Sequence, residues 1–280
     1  MLNDFAIFIL THGRPDKQLT WELLKKLGYT GKMYLVLDDQ DNTIPQYIQN
    51  FGAENIFIFD KNHYVQTTDT GNNKPVFGCG LYARNAIEDI AKEMGLKTFV
   101  QADDDILNMR IRFPDENRVR SYCINNTFDS IINAYIEFIK STNFAYIGFG
   151  NAPAYMCGKE VFNINNSNFP YVFMLRNSKV DVKWSMNFSD DYATPTLLSN
   201  RGNLCLQIPF VQVDESPVAD AKATGGMANS YAKETELSLA FYIKMSSPNS
   251  VALTYDGKHI KLTRHGRKVR PKIISGGYKK

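Results

Sequence analysis

Apolar runs alternate with helix-length amphipathic stretches through the first hundred residues. "FAIFIL" at 5–10 is followed by "KQLTWELLKKLG", whose apolar residues fall on one helical stripe. "MYLVLDD" at 33–39, a short helix near Pro45 to Phe51, and "NIFIFD" repeat the alternation. A polar stretch at 61–75 reads as a loop, after which "LYARNAIEDIAKEMG" predicts a helix and "KTFVQADDD" at 97–105 a strand. Strands and helices alternating at this spacing imply βαβ crossovers, hence an α/β fold with a mostly parallel sheet flanked by helices. Beyond residue 106 the pattern loosens into aromatic-rich strands, "AYIGFG" and "YVFML", with helices around Ser130 to Lys140 and Ala232 to Lys244. These elements are expected to extend the same sheet with antiparallel strands. One domain is expected over residues 1–255, with 61–75 and 214–230 as candidate functional loops.

Composition narrows the class. In 280 residues, 44% are hydrophobic and 22% charged, which suits a globular domain and excludes a fibre, a coiled coil or a disordered chain. Cys79, Cys123, Cys157 and Cys205 lack the spacing of a disulfide scaffold or a zinc ribbon and read as reduced thiols. No stretch approaches the roughly 18 apolar residues of a membrane span, and no secretory leader pattern opens the chain. A cytoplasmic location with no membrane partner is the expectation. From Asp256 to Lys280, nine Lys and Arg face one Asp; against a net charge of +3 this +8 segment leaves −5 on the rest. The basic segment 256–280 is a candidate nucleic-acid contact, or a merely solvated terminus.

Candidate chemistry sits where strands end. Ligands of open parallel sheets bind beyond the carboxyl ends of the strands. Here "FAIFIL" runs into Thr11-His12-Gly13-Arg14-Pro15, "MYLVL" into Asp38 and Asp39, and "KTFVQA" into Asp103, Asp104 and Asp105. Adjacent carboxylates about 4 Å apart repel by about 4 kcal/mol at an effective dielectric of about 20, a cost that a divalent cation reverses. Hard oxygen donors select Mg²⁺ or Mn²⁺, commonly shared with substrate phosphates. Arg14, read as standing just before a helix with Pro15 in its first turn, and Arg84, on a helix opened by Gly78 and Gly80, suit an anion; structural ion pairing is the alternative for both.

The combination "ILTHGRP", the Asp pair, "ARNA" and "ADDDI" resembles the GT-A glycosyltransferases, an α/β, Rossmann-related fold whose D-x-D motif holds a divalent ion against a nucleotide-sugar diphosphate. More narrowly, "GYTGKMYLVLDDQD" with "FDK" and "DDDI" is similar to the phage-borne TET-associated glycosyltransferases, which are inferred to glycosylate hydroxymethylated pyrimidines in DNA. The resemblance covers residues 5 to 110 well and the rest weakly. It implies Asp103 and Asp105 as metal ligands, with Asp103 nearer the ribose, and a late metal or diphosphate ligand at His265. Thr11, His12, Arg14, Asp38, Asp39, Arg84, Asp103 and Asp104 would line the nucleotide-sugar pocket. A catalytic carboxylate would come from "NFSDDYATP", Asp191 ahead of Asp190, for which a helix cap is the rival role. The implied cofactor is Mn²⁺ or Mg²⁺, the donor a UDP-sugar, and the acceptor duplex DNA. Residues 1–110 would be the donor half, 111–255 the acceptor half. From the residues alone, a Mg²⁺-dependent nuclease or nucleotidyltransferase, or a noncatalytic DNA-binding module, remain the competing readings.

Overall fold

The computed structural model describes residues 4–264 apart from 72–79, 117, 153–154, 156–157, 159–161, 163–169, 188–189, 217–235, 256 and 258–259. The chain begins with three parallel strands and their crossover helices: β1 (Ala6–Leu10), α1 (Leu19–Lys26), β2 (Lys32–Asp38), α2 (Ile44–Phe51) and β3 (Ile56–Phe59). Then follow α3 (Lys61–Thr67), α4 (Leu81–Glu93) and β4 (Thr98–Asp103). The remainder is β5 (Ile106–Pro114), β6 (Val119–Cys123), α5 (Phe128–Lys140), β7 (Phe144–Asn151), β8 (Phe173–Asn177), α6 (Asp190–Asn200), β9 (Leu204–Glu215), α7 (Glu236–Ser246), β10 (Val251–Tyr255) and β11 (Ile260–Arg264).

A nine-stranded sheet has the order β3-β2-β1-β4-β8-β7-β9-β5-β6, and β10 pairs with β11 apart from it. Strands β3, β2, β1 and β4 are parallel; β8 and β5 run against the rest of the sheet, through antiparallel pairings with β4 and β7 and with β9 and β6. This is the α/β plan expected from the sequence, mostly parallel with antiparallel additions.

Period-two alternation explains why the parallel strands read as unbroken apolar runs, since both faces are covered. Phe5, Ile7 and Ile9 point into the core with Trp21 and Leu24 of α1, Tyr47 of α2 and Phe128, Ile132 and Ile136 of α5. Ala6 and Phe8 point the other way, against Leu81, Tyr82, Ala86 and Ile87 of α4. On that second face Arg176 is fully buried and forks onto Glu88, Nε to Oε1 at 2.6 Å and Nη2 to Oε2 at 2.9 Å. Glu88→Leu would strand this guanidinium without a counter-charge. It is expected to lower unfolding free energy by about 3–5 kcal/mol in a denaturant titration, whereas a loss under 1 kcal/mol would show that the pair holds nothing.

Three expectations need correction. Residues 61–67, read as loop, form α3, because Asp60 accepts from the His63 backbone N–H at 3.0 Å and Tyr64 and Val65 pack on the α4-side core. Helix α1 begins at Leu19, so Arg14 stands five residues upstream and Pro15 lies outside the first turn. Gln18 explains this: its Nε2 donates to Thr11 Oγ1 at 2.8 Å and to the Arg14 carbonyl at 2.9 Å, holding 11–18 as a loop. Last, the expected short strands are β7 and β8, but β5 and the long β9 stand in the sheet as well; Pro209 inside β9 masked it in the sequence and coincides with the shift in its register against β7.

Candidate functional site

The strand order reverses beside β1, which has β2 on one side and β4 on the other. At such a switch point the connections leave in opposite directions and open a crevice beyond the strand ends. Leu10 is in register with Asp103 there, so the residues following β1 and β4 meet. Thr11 Oγ1 donates to Asp104 Oδ2 at 2.5 Å and lies 2.9 Å from the Tyr47 hydroxyl. Tyr47 in turn accepts from the Arg14 backbone N–H at 2.9 Å, and Arg14 Nη1 reaches Asp104 Oδ1 at 3.2 Å. Asp104 is therefore the carboxylate that ties the β1 loop to the β4 tip. Burial raises its carboxyl to about 6, with the Arg14 charge and the Thr11 hydrogen bond opposing.

Asp103 turns the opposite way. Its Oδ1 accepts from Arg84 Nη2 at 2.9 Å, while Arg84 Nε donates to Asp190 Oδ2 at 3.1 Å. Arg84 is buried and lies over the Trp184 ring at 5.3 Å; burial opposes its charge, but Asp103, Asp190 and Asp191 keep it firmly protonated. Its Nη1 is buried without a hydrogen-bond partner, as is Nε of Arg14, which leaves two guanidinium donors unsatisfied in the crevice.

The start of β5 and the end of β9 also meet at this point. β5 starts right after Asp105 and pairs Ile106 with Glu215 at the end of β9, and the Ser216 N–H donates to the Asp105 carbonyl at 3.0 Å. Glu215 thus joins the cluster from 110 positions downstream of Asp105. Burial lifts Asp103 to about 8 against the pull of Arg84, with Asp105, Glu215 and Asp104 adding to the rise. Glu215 is pushed up to about 7 by burial and by the charges of Asp105 and Asp191, and Asp105 is raised chiefly by burial. Asp190 and Asp191 occupy the first turn of α6. Asp191 contributes to the field on Arg84, Glu215 and Tyr171, which places it at the same cluster.

A second group lies at the end of β2. His12 Nδ1 is 2.7 Å from Asp38 Oδ2 and 3.7 Å from Asp41 Oδ2, and Lys61 Nζ reaches Asp38 Oδ1 at 3.2 Å. Gly13 has φ of 69°, and its N–H donates to Asp41 Oδ2 at 2.7 Å, a left-handed turn that glycine adopts without strain. Burial opposes the Asp38 charge, but the His12 hydrogen bond and the His12 and Lys61 charges outweigh it and hold its carboxyl below the usual range. The Asp38 hydrogen bond raises His12, against desolvation. The ion pair is therefore complete from above about pH 4 to about pH 6.5 and fades as pH rises through the higher folded value of His12. His12→Gln keeps a hydrogen-bonding side chain but not the charge. Its melting temperature should fall below wild type at pH 5–6 and match it at pH 9; an equal gap at both values would mean that charge is irrelevant here.

Of the residues expected in the pocket, Thr11, Arg14 and Asp104 meet in one network and Arg84 and Asp103 in a second, on the two sides of the β4 tip. His12 and Asp38 form the adjoining pair. Asp39 is exposed and instead accepts from the Lys61 N–H at 3.0 Å, fixing the start of α3. His265 lies outside the described residues. Gln18, Asp41, Tyr47, Lys61 and Glu215 complete these groups and were not foreseen. Among the described residues, no helix is long and apolar enough to cross a membrane.

Residues 5–226 match the family model described as TET-Associated Glycosyltransferase, and the chain belongs to that family and is a glycosyltransferase. No curated protein matches the sequence. Among solved structures, the chain is similar to glucosyl-3-phosphoglycerate synthase from Mycobacterium tuberculosis in complex with Mg²⁺ and UDP, at 8% identity and a TM-score of 0.47, covering 93% of this chain and 86% of that one. The same enzyme with Mn²⁺, UDP and phosphoglyceric acid matches at 9% identity, with the same TM-score and coverage.

Proposed function

We propose that this TET-associated glycosyltransferase moves a sugar from a UDP-sugar to a hydroxymethylated pyrimidine in DNA, with Mn²⁺ or Mg²⁺ at Asp103 and Asp105. The observation that carries the donor side is the convergence of Arg84, Asp105 and Glu215 on Asp103, with Asp191 acting on both Arg84 and Glu215, at the switch point between β1 and β4. Among the described residues no group of three or more His, Cys, Asp or Glu side chains is placed to hold a metal ion by itself. The donor set fits an open site: two carboxylates, costly to ionise together, leave the other positions to a diphosphate. When bound, the cation supplies neutralisation of the departing nucleoside diphosphate.

The chain's own residues supply the rest. Arg84 and Arg14 each hold an unsatisfied N–H donor that suits a phosphate oxygen. Thr11, His12, Asp38 and Asp104 shape the nucleotide side of the crevice, with Tyr47 and Lys61 behind them. Asp190 is held by Arg84 and positions it, and Asp191, in the same first turn of α6 and acting on Arg84 and Glu215, takes the proton from the acceptor hydroxyl as general base. The DNA acceptor is supported by the family's TET association and by the basic segment 256–280.

The test is mass spectrometry of an oligonucleotide carrying hydroxymethylcytosine or hydroxymethyluracil, incubated with Mn²⁺ and a panel of UDP-sugars. One added sugar residue on the modified base, and none on an unmodified control, is the expected result. Strand cleavage without sugar would support the nuclease reading, and unmodified product with every donor would remove the acceptor assignment.

A further inference from the structure

At the far end of the sheet, β5 and β6 carry aromatic rings left outside the core. Ile111 faces Tyr122 and Phe113 faces Arg120 across the pair, and β6 is an edge strand. Phe113 and Tyr122 are each 48% exposed and Phe210 of β9 is 44% exposed. Their rings form a chain: Phe113 lies 6.5 Å from Tyr122 and 5.8 Å from Phe210, and Phe210 lies 5.5 Å from Phe162. Tyr155 follows at 6.5 Å from Phe162, with the Arg112 guanidinium 5.3 Å over its ring. Contiguous exposed rings mark a contact surface, unlike scattered surface apolars.

The charge around these rings selects the partner. Arg110, Arg118 and Arg120 are exposed and Arg112 half-buried, and between residues 106 and 123 every basic residue is arginine. Arg120 pairs with Asp115 at 2.6 Å and Arg110 with Asp214 at 3.7 Å, exposed pairs that open at little cost. Planar guanidinium forks suit phosphate, and aromatic faces accept any base by stacking. A second copy of the chain would bring like charges against these four arginines. The position fits as well: β5 runs from the carboxylate cluster at Asp105 to Phe113, eight residues that span about 26 Å.

We propose that Phe113, Tyr122 and Phe210, flanked by Arg110, Arg112, Arg118 and Arg120, form a platform on which an opened, single-stranded DNA segment stacks as it enters the site. This deepens the reading of the acceptor as DNA and rests on it.

The experiment uses the full chain and single-stranded oligonucleotides containing 2-aminopurine, read by anisotropy and by base fluorescence. Wild type should quench the 2-aminopurine as the base stacks on a ring. Phe113→Ala/Phe210→Ala should weaken binding at least about tenfold and abolish the quench, at unchanged melting temperature. Arg118→Gln/Arg120→Gln should keep the quench but flatten the slope of log affinity against log salt by about 1.4. Affinity and quench within twofold of wild type in the ring variant would overturn the platform. So would a ring variant that only converts a dimer to a monomer in sedimentation. Transfer assays separate the two claims. If the platform alone is wrong, wild type and ring variant glycosylate a hydroxymethylated oligonucleotide equally. If the acceptor reading is wrong, wild type leaves that oligonucleotide unmodified while ring-dependent quenching persists.

Discussion

Asp105→Ala is expected to lower sugar transfer about 1,000-fold, the equivalent of about 4 kcal/mol of transition-state stabilisation, while leaving the protein folded. The reason lies in how the three consecutive carboxylates divide. Asp104 is committed to Thr11 and Arg14, and Asp103 to Arg84. Asp105 sits where burial already disfavours its charge and Glu215 lies across the strand pair. Its structural duty is carried by the backbone, through the carbonyl that accepts from Ser216, and the alanine variant retains that bond. Transfer rate measured beside the melting temperature checks the expectation. Activity within threefold of wild type would remove Asp105 from the metal site. Loss of activity together with loss of the folding transition would make its role structural.

The second expectation concerns pH. Asp103, Glu215 and Asp104 are raised to about 8, 7 and 6, so the fold holds them neutral where the unfolded chain is ionised. A carboxyl raised in this way lends stability that is complete below its unfolded value, about pH 4, and is lost as pH climbs through the folded value. The metal-free protein should therefore melt at progressively lower temperature from pH 5 to pH 8. Adding Mn²⁺ with UDP at about one hundred times the dissociation constant should raise the melting temperature by about 5–10 °C at pH 8. The gain should shrink towards pH 6, because the carboxyls must give up protons to bind the ion. Differential scanning fluorimetry across this range checks both signs. Metal-free stability that rises from pH 5 to pH 8, or a gain that grows as pH falls, would contradict the cluster.

Much of the parallel half was legible because its physics is local. Strands buried on both faces must be unbroken apolar runs, and "FAIFIL" and "KTFVQA" are, so the carboxylates ending them mark the crevice. What escaped was set by long-range contact. Glu215 ends a strand whose internal Pro209 argues against a strand at all, and nothing near it in sequence ties it to Asp105. Lys61 and Tyr47 look like ordinary members of short helices until β2 and the β1 loop bring Asp38 and Thr11 against them. Nor does adjacency say that Asp104 faces Thr11 while Asp103 faces Arg84. The helix at 61–67 was lost to its polar composition, although Asp60, three residues before the His63 N–H it caps, was the available signal.

The central claim is that a divalent ion and a diphosphate share the tip of β4 with Asp103 and Asp105. Anomalous diffraction from crystals soaked in Mn²⁺ and UDP tests it most directly. The account predicts a manganese peak against the Asp103 and Asp105 carboxylates, with the diphosphate between it and Arg84. UDP held in the crevice with no metal at those carboxylates, or manganese seated elsewhere while Asp103 stays paired only to Arg84, would contradict it.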